Sequence, residues 1–139
     1  GDLLDESRVL RMRDTMEDRG PDGAGFFRHS KVTLAHRRLA IRDIEHGQQP
    51  WISQNGKYAF VYNGEIYNDD EITKSLSENG VQLRTQCDTE VLAEAWSLWG
   101  RACLDPGAAP RIAAQGRSPF PTGIPEQKGG NEFSSLNSR

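Results

Sequence analysis

Residues 61–68, VYNGEIYN, set an amide side chain (Asn63), an unhindered backbone N–H (Gly64) and a carboxylate (Glu65) in a row, between a strand-like run and a helix start. An amide and an N–H side by side can hold the oxyanion that forms when a carbonyl is attacked, an interaction worth a few kcal/mol to a transition state. The plainer alternative is an Asn-Gly hairpin, which needs a second strand directly after it. EIYNDDEI supplies no strand of useful length before helix signals begin, but Asn-Gly is common in turns of every kind. Both readings stay open on these residues alone. Other reactive side chains form no constellation. His29, His36 and His46 share no metal spacing and read as surface or strand polar groups, and Cys87 and Cys103 make neither a disulfide framework nor a CxxC site. No metal site is expected.

The chain that must position these groups has 139 residues, enough for one domain with a real core and too few for two ordinary ones. Its 17 basic and 20 acidic residues give a net charge of -3, with no basic stripe of the kind that nucleic acid requires. No apolar run approaches the roughly 18 residues of a membrane span, and no charged-then-apolar leader opens the sequence. Neither nucleic acid nor membrane is expected as a partner, and a reduced, cytoplasmic setting is. Nothing in the sequence speaks for or against an oligomer.

Periodicity supplies the elements. Val9, Met12 and Met16 fall on one side of a helix over residues 5–18, ended by the turn formers of RGPDG, where Pro21 and Gly23 shape a scaffold loop. GFF, KVTLAHRRLAI (31–41) and KYAFVY (57–62) alternate as strands, with DIEHGQQP as a loop, and VQLRT is one more short strand. Asn68 caps a helix with Glu71 in the capping-box position, Ile72 and Leu76 face inward, and Asn79-Gly80 ends it. Asp88 or Thr89 caps a further helix that buries Val91, Leu92, Ala95, Trp96 and Trp99 and stops at Gly100. Interspersed helices and close antiparallel strands predict an α+β or mixed fold rather than a βαβ series. From residue 106 the composition changes: five of the seven prolines and five glycines lie in 106–139, and this stretch is expected to be loose.

Five segments, MEDRGPDGAGFF, LAHRRLAIRD, GQQP, VYNGEIYN and RTQCDTEVL, occur in an order and at spacings that closely resemble the glutamine amidotransferase domain of asparagine synthetases, a class II family with an N-terminal nucleophile. The resemblance covers roughly residues 8–105, and the domain is placed at 1–105 with a divergent tail over 106–139. It implies a four-layer αββα sandwich of largely antiparallel sheets, incomplete here. It implies a chemistry as well: glutamine is hydrolysed to glutamate, and the ammonia passes to a second domain that makes asparagine from ATP-activated aspartate. By resemblance, Asn63 and the Gly64 N–H form the oxyanion hole and Arg38 holds the α-carboxylate of glutamine, bidentately as a planar guanidinium can. Asp88 pairs with the α-ammonium, Glu65 lines the pocket, and Leu39 and Ile41 border the substrate through their backbone. Each residue has a simpler reading: Arg38 as a solvated charge beside Arg37, Asp88 as a helix cap, Glu65 as a carboxylate at a helix start.

Two departures from the family bear on activity. The sequence starts at GDLLDESRVL, without the Met-Cys-Gly strand whose cysteine attacks the amide with its own α-amine as base. Cys87 and Cys103 are mid-chain and lack that amine. The chain as written is therefore expected to bind glutamine and to release no ammonia from it. After Asp105, PGAAPRIAAQGRSPF stands where the family has a Leu-Arg-Gly-Met-Phe-Ala type strand. Losing a strand at each end would expose sheet edges, so marginal stability is expected. No cofactor is expected in this domain; ATP and magnesium belong to the synthetase domain, absent from the sequence, which would also be the partner. The expected function is that of the glutamine-hydrolysing part of an asparagine synthetase. The alternatives are a non-catalytic glutamine-binding remnant, a relative that aminates another acceptor, or a scaffold with no ligand.

Overall fold

The computed structural model describes residues 4–40, 43, 45–105, 107 and 110–116. In chain order the elements are α1 (Glu6–Asp14), β1 (Gly23–His29), β2 (Val32–Arg38), β3 (Trp51–Ile52), β4 (Ala59–Phe60), β5 (Gly64–Ile66), α2 (Asp69–Glu78), α3 (Asp88–Trp99) and β6 (Ala114–Gly116), with single 3-10 turns at Glu17–Arg19 and Gly100–Leu104. The class is α+β, as the interspersed patterns predict. The described strands pair as three separate two-stranded antiparallel sheets, β1–β2, β3–β4 and β5–β6.

The β1–β2 hairpin follows from alternation plus a tight turn. Phe27 and Leu34 face each other in register and are buried with Ala59. His29 lies opposite Val32, leaving Ser30-Lys31 as the turn, with Ser30 at φ 49 in the left-handed region that primed turns use. The main core sits between α2 and α3, where Ile72 and Leu76 meet Val91, Leu92 and Ala95, and β5 adds Ile66. Gly80 at φ 83 and Gly100 at φ 57 end the two helices as their sequence positions predict. Trp96 and Trp99 only partly bury, packed against this core.

Several sequence expectations are corrected. Met12 and Met16 do not face a core: they are 56% and 44% exposed, and α1 buries no residue. What fixes the end of α1 is charge, since Arg37 of β2 pairs with Asp14 at 3.1 Å and with Glu17 at 3.4 Å. VQLRT forms no strand. Its backbone donors at Arg84 and Thr85 go to the buried carboxylate of Glu90, which replaces a ladder partner. Asn68 is the N-cap of α2 without a capping bond to the helix backbone. Its side chain instead donates to the Arg111 carbonyl at 2.7 Å and accepts the Ala113 N–H at 2.7 Å. Arg111 and Ala113, which take these bonds, belong to the stretch after residue 105. Ile112 enters the main core, 5% exposed, and Ala114–Gly116 pair with Gly64–Ile66. Residues 117–139 lie outside the described residues. No helix among the described residues is long and apolar enough to cross a membrane.

Candidate functional site

Asn63-Gly64 is not a hairpin turn. Strand β5 begins at Gly64, and its partner is β6, nearly 50 residues on in sequence, with Gly64 opposite Gly116, Glu65 opposite Gln115 and Ile66 opposite Ala114. Donors in an antiparallel ladder alternate sides. Tyr67 donates its N–H to the Ala113 carbonyl at 2.8 Å, so the N–H groups of Ile66 and Gly64, out of phase with Tyr67, turn to the opposite edge. There the Ile66 N–H donates to the Asp88 carboxylate at 2.9 Å. Gly64 and Asp88 thus meet one edge of one strand, with the two β5 donors on the order of 6.6 Å apart from the strand rise. Asn63, Gly64 and Glu65 are all exposed, whereas Asp88 is buried.

Asp88 does not cap its helix. Cys87 is the N-cap of α3, Asp88 is its first residue, and the carboxylate reaches across to β5. Tyr62, just before Asn63, has its hydroxyl buried with no hydrogen-bond partner among the described residues. Burial, with the Asp88 and Glu65 carboxylates nearby, pushes its phenol up to about 12, so it stays protonated.

Arg38 ends β2 and is 8% exposed, which excludes the solvated-charge reading. It donates from Nη2 to the Asp43 carbonyl at 2.7 Å. Asp43, at φ 45, in turn accepts the Gln86 N–H at 3.0 Å and a bond from His46, which together hold its carboxyl below the usual range. The bare α-carbon of Gly47 is what admits the guanidinium. A Cβ there would lie 2.2 Å from Arg38 Nη2 and 3.0 Å from Cys87 Sγ. Arg38 therefore packs beside the residue that precedes Asp88. Leu39 is 58% exposed, and Ile41 lies outside the described residues. No cluster of three or more His, Cys, Asp or Glu with metal-holding geometry occurs among the described residues.

The family model for the glutamine amidotransferase domain matches residues 2–107. The chain belongs to this family. An asparagine synthetase (glutamine-hydrolysing) of Bacillus subtilis, number 3 of that strain, is 38% identical over 106 residues, which cover 74% of this chain and 17% of the relative. A nodule asparagine synthetase of Pisum sativum is 37% identical over 98 residues, covering 70% of this chain and 16% of its own length. A second Bacillus subtilis synthetase, number 1, is 39% identical over 87 residues, or 63% of this chain and 14% of that one. The chain thus spans about one sixth of the length of these relatives.

Within the amidotransferase domain, two sets of polar residues that sequence patterns left unremarked hold the segments around the site. Gln49 accepts the Tyr62 N–H at 2.6 Å through Oε1, while its Nε2 donates to the Tyr62 carbonyl and to Thr89 Oγ1, both at 2.9 Å. Glu90, fully buried, accepts from the Arg84 and Thr85 backbones, from the Thr85 hydroxyl at 2.6 Å and from the Arg84 guanidinium at 3.3 Å. Burial pushes its carboxyl up, but these donors outweigh burial and hold it below the ordinary value. One turn on, burial raises Glu94, which accepts the Gln54 N–H, and the Glu90 charge adds to that rise. Apolar periodicity could not find these groups, because a buried carboxylate reads as a solvated face. The available signals were the i, i+4 pairing of Glu90 and Glu94 beside Val91 and Ala95, and the place of Gln49, Thr89 and Glu90 inside GQQP and RTQCDTEVL.

Proposed function

We propose that this chain is the glutamine-binding part of a glutamine-dependent asparagine synthetase. In this reading Asn63 and the Gly64 N–H receive the oxyanion of the attacked amide, and Asp88 takes the α-ammonium. Arg38 takes the α-carboxylate, and Glu65, Leu39 and Ile41 border the substrate. The observation that carries it is the shared edge of β5. The Gly64 N–H faces the side on which the Asp88 carboxylate is anchored by the Ile66 N–H, so one extended amino acid can meet an oxyanion donor at one end and an ammonium acceptor at the other. Burial of Asp88 and Arg38 supports the same reading, since a desolvated carboxylate and guanidinium bind opposite charges more strongly than exposed ones.

The complete fold in this reading is the four-layer αββα sandwich, of which the three small sheets are parts. The attacking thiol with its α-amine lies outside these 139 residues, because Cys87 and Cys103 are buried and mid-chain. A synthetase domain, again outside these residues, would use ATP and magnesium to activate aspartate and receive the ammonia. A relative that aminates another carboxylate would use the same pocket.

Calorimetric titration with L-glutamine tests the pocket. Binding at millimolar or tighter affinity is expected, abolished in Asp88→Asn and in Arg38→Lys, where a point charge cannot replace the planar fork. Absence of binding by the native chain, or full affinity in both variants, overturns the assignment. Ammonia release by the 139-residue chain would overturn the absence of a nucleophile.

A further inference from the structure

We propose that Gln49 is a positioning residue that sets the distance between the oxyanion-holding segment and Asp88, acting through Tyr62 and Thr89. This rests on the glutamine reading above. Asn63, Gly64 and Glu65 are exposed, and Gly64 and Glu65 pair with β6 on one edge only. This segment is pinned at both ends to the same turn of α3. At one end Gln49 grips both backbone polar groups of Tyr62, the residue before Asn63, and ties them to Thr89. At the other end the Ile66 N–H, next after Glu65, donates to Asp88. Asp88 and Thr89 are consecutive, so both ends of the segment are referred to the first turn of α3.

The side-chain amide of Gln49 does here what a neighbouring strand would do. It supplies one acceptor and one donor to Tyr62 and spends its second N–H on the helix, so all three bonds are satisfied by one planar group. Thr89 is 2% exposed, so its hydroxyl meets Gln49 away from water. Glutamine bound in an extended conformation has a set reach between its α-ammonium and its amide carbonyl. A shift of about 1 Å between the groups that receive them is enough to spoil the fit. Gln49 touches neither end of the ligand in this scheme and is therefore not a catalytic residue.

Thr89→Val tests the link, because it keeps the shape of the side chain and removes the acceptor of the Gln49 Nε2 bond. The expected result is a cooperatively melting protein whose Asn63 and Gly64 amide resonances move in NMR spectra. Its affinity for L-glutamine falls about tenfold, as loss of one buried hydrogen bond in a positioning chain allows. Its preference for L-glutamine over the shorter L-asparagine narrows, and Thr89→Ser restores all three properties. A merely structural bond would lower the melt and leave the glutamine-to-asparagine ratio alone. If Thr89→Val does not melt cooperatively, Gln49→Glu is read by the same criteria, since it keeps the Tyr62 N–H bond and removes both Nε2 donors.

Resonances and ligand preference at native values in the folded variant overturn the proposal, as does failure of serine to restore them. If the native chain binds no glutamine, the function above fails. The Gly64 resonance then decides the coupling by itself: movement in Thr89→Val that is reversed in Thr89→Ser supports it, and no movement overturns it.

Discussion

Gly25→Ala puts the packing that supports Gln49 to a quantitative test. Gly25 lies in β1 opposite His36, and a Cβ built on it would sit 1.5 Å from the Gln49 carbonyl oxygen, 2.6 Å from its carbon and 2.8 Å from Pro50 Cδ. The first of these contacts is with backbone, so no rotamer change relieves it. Restoring an ordinary carbon–oxygen separation needs a displacement of about 1.7 Å, far beyond what the bonds from Gln49 to Tyr62 tolerate. Overpacking of this kind costs about 1–3 kcal/mol, and two disrupted hydrogen bonds add about 1 kcal/mol each. The expected loss is therefore about 3–5 kcal/mol, against a total stability of about 5–15 kcal/mol for a domain. Urea unfolding monitored by tryptophan fluorescence reads it. With a slope of about 2 kcal/mol/M, the midpoint should fall by about 2 M. Gly23→Ala is the internal control, two residues away on the same face of β1. Its Cβ would meet only Arg38 Cβ at 3.5 Å, an ordinary contact, and its midpoint should stay within about 0.3 M of the native one. Equal midpoints for Gly25→Ala and Gly23→Ala would refute the reasoning.

Further outcomes are expected elsewhere. Glu90→Ala leaves the Arg84 and Thr85 donors without their common acceptor and should cost about 3–5 kcal/mol, with the 84–87 segment losing protection in amide exchange; retained protection would count against it. Two titratable groups, the half-buried His36 and the buried Glu94, act on the pH profile with opposite signs. His36 is lowered below 6.5 by burial and by the Arg38 charge, so its contribution is complete above about pH 6.5 and is lost as pH falls from there through the lowered value. Glu94 is raised above 4.5 by burial, so its penalty is absent below about pH 4.5 and grows as pH rises through the raised value. Urea midpoints at stepped pH should show His36→Gln flattening the acid-side loss and Glu94→Gln raising the neutral-pH plateau; unchanged profiles would refute both assignments. Asn68→Ala should free residues 111–113 and loosen β6 from β5, seen as faster exchange at Glu65 and Tyr67. Cys103, fully buried with its thiol pushed up to about 11 chiefly by burial, should resist alkylation in the folded chain. Rapid labelling without unfolding would contradict its place in the core.

Local order was legible where it depends on residues close in sequence. The α+β class, the three helices, the stops at Gly80 and Gly100 and the inward faces of Ile72, Leu76, Val91, Leu92 and Ala95 all follow from periodicity and from backbone freedom at glycine. The family followed from motifs in register, and with it the candidate site residues. Where pattern failed, a charged side chain took the place that pattern gave to a core face or to a ladder partner. The Met12–Met16 stripe has helical spacing, yet α1 is tied down by Arg37 rather than by that stripe. VQLRT has strand composition, but Glu90 takes its backbone donors.

The sequence by itself determined the residue types of the proposed site: an amide and a glycine N–H in one segment, a planar cation in a second and a carboxylate in a third. Only the tertiary structure decided that the Gly64 N–H turns toward α3, because ladder phase is set by pairing with Ala114–Gly116, residues whose composition gives no strand signal. It alone decided that Asp88 reaches Ile66 instead of capping its helix, and that Gln49 joins Tyr62 to Thr89. These bonds cross 22, 13 and 40 residues of chain. A hydrogen bond of that span is chosen by packing after the helices and strands have formed, and no local pattern encodes it.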